Sequence, residues 1–305
     1  MELSSIILQQ TLTMAIYMAI GFLLYKFGKI SKEGSKNIAT LLLWIVLPAV
    51  ILNSFCVEFS AQKLGQLLVS FLLAAAALAI AIGISRLIYP DKPIDHFAAA
   101  FSNAGFMGIP LVKASFGDNA VFFLVGFVAL LNLLQWTYGV SLLKKEKTRI
   151  AMREVVLNPI FVAIIAGIVL FVTGFGASLP GIVKNAVSGI AGLNGPLAMI
   201  VLGVYLAQSD LKTTFTQFRL YGLCVVRLVL IPVVTLLLLW LIPADSTMKL
   251  VILTAAAAPV GSNVAVYAQL HDVDYPYACQ TVALSTVLSV ITMPLIITLG
   301  YLLKL

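Results

Sequence analysis

Long apolar runs, separated by short polar segments, follow one another along almost the whole chain. In the first half, runs of membrane-spanning length lie at residues 6–27, 37–55, 64–89, 96–112 and 120–143. After a charged connector, a second series lies at residues 157–173, 190–207, 221–241, 250–268 and 281–303. A helix of about 20 apolar residues crosses the hydrocarbon layer of a membrane. The pattern therefore predicts an all-α integral membrane protein with about ten spanning helices and no soluble domain.

The two series agree in the order of their helix-breaking residues. The matching positions are Gly21 and Gly167 in the first runs, Pro48 and Pro196 in the second, and alanine-rich segments at 98–105 and 255–263 in the fourth. Chance similarity between apolar helices is the alternative, and agreement at the same ordinal helix weighs against it. Because each half has an odd number of helices, residues 1–150 and 151–305 are expected to form an inverted repeat.

The composition supports this interpretation and excludes other classes. The chain is 61% apolar and 10% charged, whereas soluble domains average roughly 45–50% and 25%. Its net charge of +7 comes from residues that lie between the apolar runs, so nucleic acid is not an expected partner. The first run has neither a basic segment before it nor a cleavage site after it, and it is expected to be retained. Three scattered cysteines fit neither a disulfide framework nor a metal site, and no cofactor is expected.

The positive charge also predicts an orientation. Thirteen Lys and Arg residues follow the first, third, fifth and seventh runs, and five lie on the opposite side. Because cytoplasmic loops carry the excess of Lys and Arg, the larger set is assigned to the cytoplasm. The chain is thus expected to be a multi-pass protein of the cell (inner) membrane with both termini outside the cytoplasm.

The fourth and ninth runs are poor continuous helices. Residues 102–110 read Ser-Asn-Ala-Gly-Phe-Met-Gly-Ile-Pro, and residues 259–263 read Pro-Val-Gly-Ser-Asn. Interrupted helices at matching positions of two halves indicate a transporter's binding site, because the freed backbone groups need protein or a wet cavity beside them. A plain proline kink is the alternative. The candidate substrate-binding residues here are Asn103, Gly105, Pro110, Pro259, Gly261, Ser262 and Asn263.

The chemistry of these segments favours an anionic substrate group. Two crossing broken helices would direct half-helix N-termini, each with about half a positive charge, at the space between them. Asn103, Ser262 and Asn263 add donors that suit a carboxylate. Acidic residues fall in loops or at helix ends, so a cation site built from carboxylates is not expected. Sodium binding through backbone carbonyls is left open.

Polar residues elsewhere in the runs have two interpretations each. Arg227 is the one basic residue in the interior of a run rather than near its end, and it is expected either to extend toward the cytoplasmic surface or to contact the anion. Asn53 and Asn194 are further substrate-binding candidates, with capping of helix ends as the alternative. His96 and His271 lie near predicted cytoplasmic ends, where solvation is expected and proton coupling is a further option.

Several motifs resemble the auxin efflux carrier family, which includes the plant PIN-formed carriers and bacterial malate permease-like proteins. They are Leu47-Pro48-Ala49, the Asn-x5-Ile-Pro-Leu pattern at 103–111, Gly195-Pro196-Leu197 with Leu202-Gly203, and Ala258-Pro259 with Ala268. The resemblance covers the whole chain. It implies a scaffold and a transport domain, crossing broken helices four and nine, elevator-like alternating access, and a substrate carboxylate in contact with Asn103.

Two departures from the plant carriers bear on the substrate. The connector at 144–154 is short, as in bacterial members, and Val264 stands where the plant carriers have a further proline. A small organic acid is therefore expected rather than auxin itself.

The sequence as a whole predicts a secondary transporter of small organic anions, such as malate-like dicarboxylates or auxin-like acids. A sodium- or proton-coupled transporter of another small solute in the same superfamily is the alternative. A channel would need rings of polar groups along a pore, and an enzyme would need a catalytic constellation; neither pattern is visible. The expected partners are the anion and the lipid bilayer, and a homodimer is left open.

Overall fold

A computed structural model describes residues 2–144, 157–271 and 273–305, and these residues are helical apart from turns and short connections. The connector at 144–154 lies almost wholly outside the described residues. In chain order the helices are α1 (Glu2–Lys26), α2 (Lys32–Ser54), α3 (Ala61–Ile88), α4 (Pro93–Ala100), α5 (Ala104–Phe116), α6 (Asp118–Leu143), α7 (Pro159–Val172), α8 (Gly181–Gln208), α9 (Leu211–Thr216), α10 (Phe218–Leu241), α11 (Ser246–Ala257), α12 (Asn263–Leu270) and α13 (Tyr275–Leu302).

Each predicted apolar run contains helix, which confirms the all-α prediction. Among the described residues, seven helices are long and apolar enough to cross a membrane, namely α1, α2, α3, α6, α8, α10 and α13. Shorter apolar helices are α5, α7 and α11. The count of about ten spanning helices and their inverted repeat stay predictions.

Both predicted breaks are present, while one boundary differs from its prediction. The run at 96–112 is divided between α4 and α5, and the run at 250–268 between α11 and α12. The run at 190–207 is only the second half of α8, which begins at Gly181. Polar and small residues lower the apolar character of residues 181–189, but none of them is a proline, so the helix continues through them.

Wide π-helical turns occur in four of the described helices, within α2, α6 and α10 and at the start of α5. They lie at Leu42–Val46, Ala104–Gly108, Gln135–Gly139 and Val226–Leu230. Three of them are followed two residues later by a proline, at Pro48, Pro110 and Pro232. Proline has no N–H, and its ring clashes with the carbonyl four residues before it, so the helix widens locally. Such turns are frequent at functional sites, and all four lie around the two breaks.

By their contacts the described helices form two groups, and both breaks lie in the second. In the first group, α1 makes its most extensive contact with α8, and α2 packs against α7 and α8. Glycine permits this approach, because a Cβ on Gly21 would lie 2.0 Å from the carbonyl oxygen of Ile200, and one on Gly203 would lie 1.9 Å from that of Met18. In the second group, α3, α6, α10 and α13 surround the half-helices α4, α5, α11 and α12.

Candidate functional site

The two breaks cross and bond to each other. Ser102 and Val260 face each other as an isolated antiparallel pair. The N–H of Asn103 donates to the carbonyl oxygen of Pro259 at 2.8 Å, and the N–H of Gly261 donates to that of Phe101 at 2.9 Å. Backbone groups that leave a helix inside a membrane protein must find such partners, since hydrocarbon offers none. The crossing is therefore a specific contact between two extended segments rather than two independent kinks.

Local sequence explains where the chain leaves its helices. Pro259 disfavours helical geometry at the residue before it, and Ala258 is extended, with φ −61° and ψ 149°. Gly261 permits close approach, because a Cβ there would lie 3.0 Å from the carbonyl oxygen of Ser102 and 3.3 Å from that of Phe101. From the neighbouring helix α13, the Ser285 hydroxyl accepts a hydrogen bond from the N–H of Val260 at 3.1 Å.

A small polar cavity of about 30 Å³ lies at the crossing. Its lining residues are Leu43, Leu47, Ser102, Asn103, Gly105, Phe106, Leu131, Asn132, Gln135, Gly261, Ser262 and Asn263. A larger, mostly apolar cavity of about 410 Å³ adjoins it and shares Leu43, Asn132 and Asn263. The lining of this small cavity includes five of the predicted site residues, Asn103, Gly105, Gly261, Ser262 and Asn263.

Asn103 presents a free donor at this cavity. Its side chain is 5% exposed, and its Nδ2 has no hydrogen-bond partner within the described part of the chain. The Oγ of the adjacent Ser102 is also buried and has no hydrogen-bond partner among the described residues. A buried donor without a partner costs about 1–3 kcal/mol, and such atoms are few in folded proteins. The crossing therefore contains polar groups that a bound ligand could satisfy.

Asn263, the asparagine at the second break, already has a hydrogen-bond partner. Its Nδ2 donates to the Oε1 of Gln135 at 2.7 Å, and Gln135 is only 1% exposed. Gln135 lines the cavity from the π-helical turn of α6 and was not among the predicted site residues. Its signal in the sequence is a polar residue in the middle of the apolar run 120–143, near Asn132.

Two helix N-termini begin at the cavity. Helix α5 starts beside Asn103, and α12 starts at Asn263. The first N–H groups of a helix have no partner within it, and the helix dipole places about half a positive charge at that end. The described cavity lining contains no acidic side chain. These features together make the crossing suited to a negatively charged group.

Arg227 does not line the cavity, and neither interpretation of it from the sequence describes its position. The side chain is 1% exposed, so it does not extend to the surface. Its guanidinium donates to three backbone carbonyls: Nε to Ala258 at 3.1 Å, Nη1 to Ala99 at 3.0 Å, and Nη2 to Ala256. Its donors point at the ends of α4 and α11 instead of at an anion in the cavity.

The remaining predicted candidates do not line the cavity. Asn194 is buried where α8 resumes after a turn at Leu193; no side chain caps this point, and the Nδ2 of Asn194 donates instead to the carbonyl oxygen of Gly105 at 3.0 Å. Pro110 lies in the second turn of α5, and Pro259 takes part through its carbonyl. Asn53 lies near the end of α2, where its carbonyl accepts from the N–H of Cys56.

A buried polar cluster occupies the first turn of α4. The expectation of a solvated His96 is wrong, since the side chain is 3% exposed and lies 3.1 Å from the Tyr138 hydroxyl. The carboxylate of Asp95 is fully buried and accepts hydrogen bonds from Arg219 of α10 and Tyr277 of α13. These contacts join α4 to α6, α10 and α13. Across the described residues, no three His, Cys, Asp or Glu side chains form a group that could hold a metal ion.

Comparison with known proteins agrees with this architecture. A family described as membrane transport protein matches residues 6–297. An uncharacterised transporter of Methanocaldococcus jannaschii is 23% identical, covering 93% of this chain and 96% of the relative. Another, of Methanothermobacter thermautotrophicus, is 24% identical over 94% and 96%. A putative malonate transporter of Rhizobium meliloti is 26% identical over 73% of this chain and 72% of its own.

Proposed function

Since the chain belongs to the membrane transport protein family, the family of the auxin efflux carriers, we propose that it is a secondary transporter of small organic anions. It is a multi-pass membrane protein by its family and its apolar helices. The proposed substrate site is the crossing of the two breaks, where the anion binds between α5 and α12.

The unpaired Nδ2 of Asn103 is the observation that carries this proposal. A carboxylate oxygen at that position would accept from a donor that otherwise has no partner, and hydrogen bonds to charged groups are worth about 1.5–3 kcal/mol. The N-termini of α5 and α12 add favourable partial charge without a buried cation.

The lining of the cavity suits a small acid. Leu43, Leu47, Phe106 and Leu131 supply apolar lining in addition to the polar groups. A short-chain carboxylate places a compact carbon skeleton against such walls and its charge against the donors. The putative malonate transporter among the relatives supports the dicarboxylate class for this chain.

For the mechanism, we propose elevator-type alternating access. The group formed by α3–α6 and α10–α13 would carry the site past the group formed by α1, α2, α7 and α8. In the present conformation the 410 Å³ cavity beside the crossing is lined by Trp44, Asn158 and Tyr267. Asn158 directly precedes α7, at the end that the excess of Lys and Arg assigns to the cytoplasm. The proposed orientation therefore makes this an inward-open state.

The same proposal includes ten spanning helices in two inverted halves, with both termini outside the cytoplasm of the cell membrane. Uptake into proteoliposomes tests the function. A carrier should show saturable malonate uptake that is accelerated by malonate on the opposite side, whereas a channel should not saturate in this way. Imposed sodium or proton gradients, varied separately, decide whether the coupled alternative applies. Absence of any carboxylate uptake or exchange would contradict the proposal.

A further inference from the structure

Arg227 is a buried cation whose counter-charge is not a carboxylate. Among the described residues, the ion pairs join Lys113 to Asp118 and Arg219 to Asp95, and Arg227 belongs to neither. A charge inside a membrane-embedded protein is costly unless something compensates it. The compensation here comes from backbone carbonyl oxygens, which accept from all three guanidinium nitrogens.

The carbonyls that Arg227 contacts belong to two different helix ends. Ala99 lies in the last turn of α4, and Ala256 and Ala258 lie at the end of α11. The last carbonyls of a helix have no partner within it and carry about half a negative charge per helix. One guanidinium therefore faces two C-termini whose partial charges sum to about one negative charge.

This arrangement changes the electrostatics of the crossing. A broken helix presents a negative C-terminus and a positive N-terminus at the same break, so without another charge the two ends largely cancel. Arg227 contacts the negative ends only, while the positive ends of α5 and α12 begin at the cavity. The result is a net positive crossing whose cation is shielded from the ligand by backbone.

We propose that Arg227 is a positioning residue that holds the two half-helix C-termini together and, by neutralising them, makes the substrate site selective for anions. The inference rests on the proposed anion site at the crossing. The planar guanidinium suits this role because its donors diverge in one plane toward three carbonyls, which the single ammonium of lysine cannot match. Its charge and its geometry are therefore separable by substitution.

The test compares Arg227→Gln, which keeps amide donors but loses the charge, with Arg227→Lys, which keeps the charge. Each purified protein is titrated calorimetrically with malonate and with malonamate, a ligand of similar size that carries one negative charge fewer. Arg86→Gln is the matched control, since Arg86 is exposed on α3 and its loss changes the net charge equally. Unfolding temperatures are measured without ligand.

The expected result is that Arg227→Gln weakens malonate binding about tenfold more than malonamate binding, because a remote charge acts in proportion to the ligand's charge. Arg227→Lys should keep the preference for malonate within about threefold of the parent. Without ligand, the Lys variant should unfold at a higher temperature than the Gln variant. A Gln variant that does not fold at all, beside a Lys variant that folds, would also show that the Lys variant is the more stable.

Three outcomes would overturn the inference. They are equal weakening of both ligands by Arg227→Gln, unchanged binding in that variant, and a Lys variant that unfolds below the Gln variant or fails to fold. A parent protein that binds no carboxylate would contradict the proposed function instead. In that case the order of the ligand-free unfolding temperatures still decides whether the positive charge of Arg227 stabilises the two helix C-termini at the crossing.

Discussion

The contact between α1 and α8 and the crossing of the two breaks both bring backbones unusually close, but they do so by opposite means. In the first, Gly21 and Gly203 remove side chains between helices whose own hydrogen bonds are intact. In the second, the backbones leave helical geometry and bond to each other through Asn103 and Gly261. The backbone N–H groups within α1 and α8 are bonded inside their own helices, whereas at the crossing Asn103 Nδ2 has no partner among the described residues and two helix N-termini begin. The first contact is a close packing of two helices, and the second forms the crossing that we propose as the substrate site.

Gly203→Ala, in the contact between α1 and α8, is expected to have the largest effect of the substitutions considered. The added Cβ would lie 1.9 Å from the carbonyl oxygen of Met18, which is backbone and cannot rotate away. We expect a loss of about 3 kcal/mol or more of folding stability, or no folded protein, measured by thermal unfolding in detergent.

Gly222→Ala is the matched control for that substitution. Gly222 also lies within a helix, but a Cβ there would meet nothing within 4 Å. Alanine has the better helix propensity, so the control should be neutral or slightly stabilised. Equal losses in both variants would show that the close approach of α1 and α8 does not limit stability.

At the crossing, substitution of Asn103 should affect binding rather than folding. Asn103→Asp replaces the free donor with a negative charge in a cavity of low dielectric constant, so malonate binding should be lost. Asn103→Ala removes one hydrogen bond to a charged group, worth about 1.5–3 kcal/mol, and should weaken binding ten- to a hundredfold. Isothermal titration measures both, with the exposed Asn185→Ala on α8 as control. An Asp variant that binds malonate as tightly as the parent would show that the anion does not bind at this crossing.

Gln135→Leu tests a smaller contribution at the same site. The change removes the acceptor of Asn263 Nδ2 at similar volume, leaving that amide free to turn within the cavity. A neutral hydrogen bond contributes about 1 kcal/mol, so malonate affinity should fall about three- to tenfold. Unfolding temperature serves as the control measurement. Stronger binding in this variant would mean that Gln135 competes with the ligand for Asn263.

The orientation of the chain in the membrane can be tested by cysteine substitutions that are expected to leave stability and binding unchanged. The result decides which side of the membrane the 410 Å³ cavity faces. In a protein whose native cysteines are replaced, single cysteines at positions 147 and 184 are exposed to a membrane-impermeant reagent in intact cells. Position 184 should react and position 147 should not, since the positive segments are assigned to the cytoplasm. The opposite labelling would reverse the topology and make the present conformation outward-open.

The breaks themselves could be located from sequence because their causes are local. Proline at 259 restricts the residue before it, and glycine at 261 tolerates an approach that a Cβ would block. Asn103 and Asn263 could be identified as candidates from sequence because a polar group in the middle of a membrane span is costly unless protein, water or a ligand satisfies it. The roles of Arg227, Asn194 and His96 were not predictable in the same way. Each depends on atoms far along the chain, such as Ala99 for Arg227, Gly105 for Asn194 and Tyr138 for His96.

The sequence by itself determined the helical membrane class, the approximate helix positions and the two interruptions, because apolar run length and backbone restriction act within a few residues. Only the tertiary structure decided that the two interruptions bond to each other, that Arg227 faces helix ends instead of solvent or ligand, and that Gln135 joins the site. Those features arise where segments more than a hundred residues apart meet. No local pattern encodes which donor will be matched by which carbonyl and which, like Asn103 Nδ2, will have no partner among the described residues.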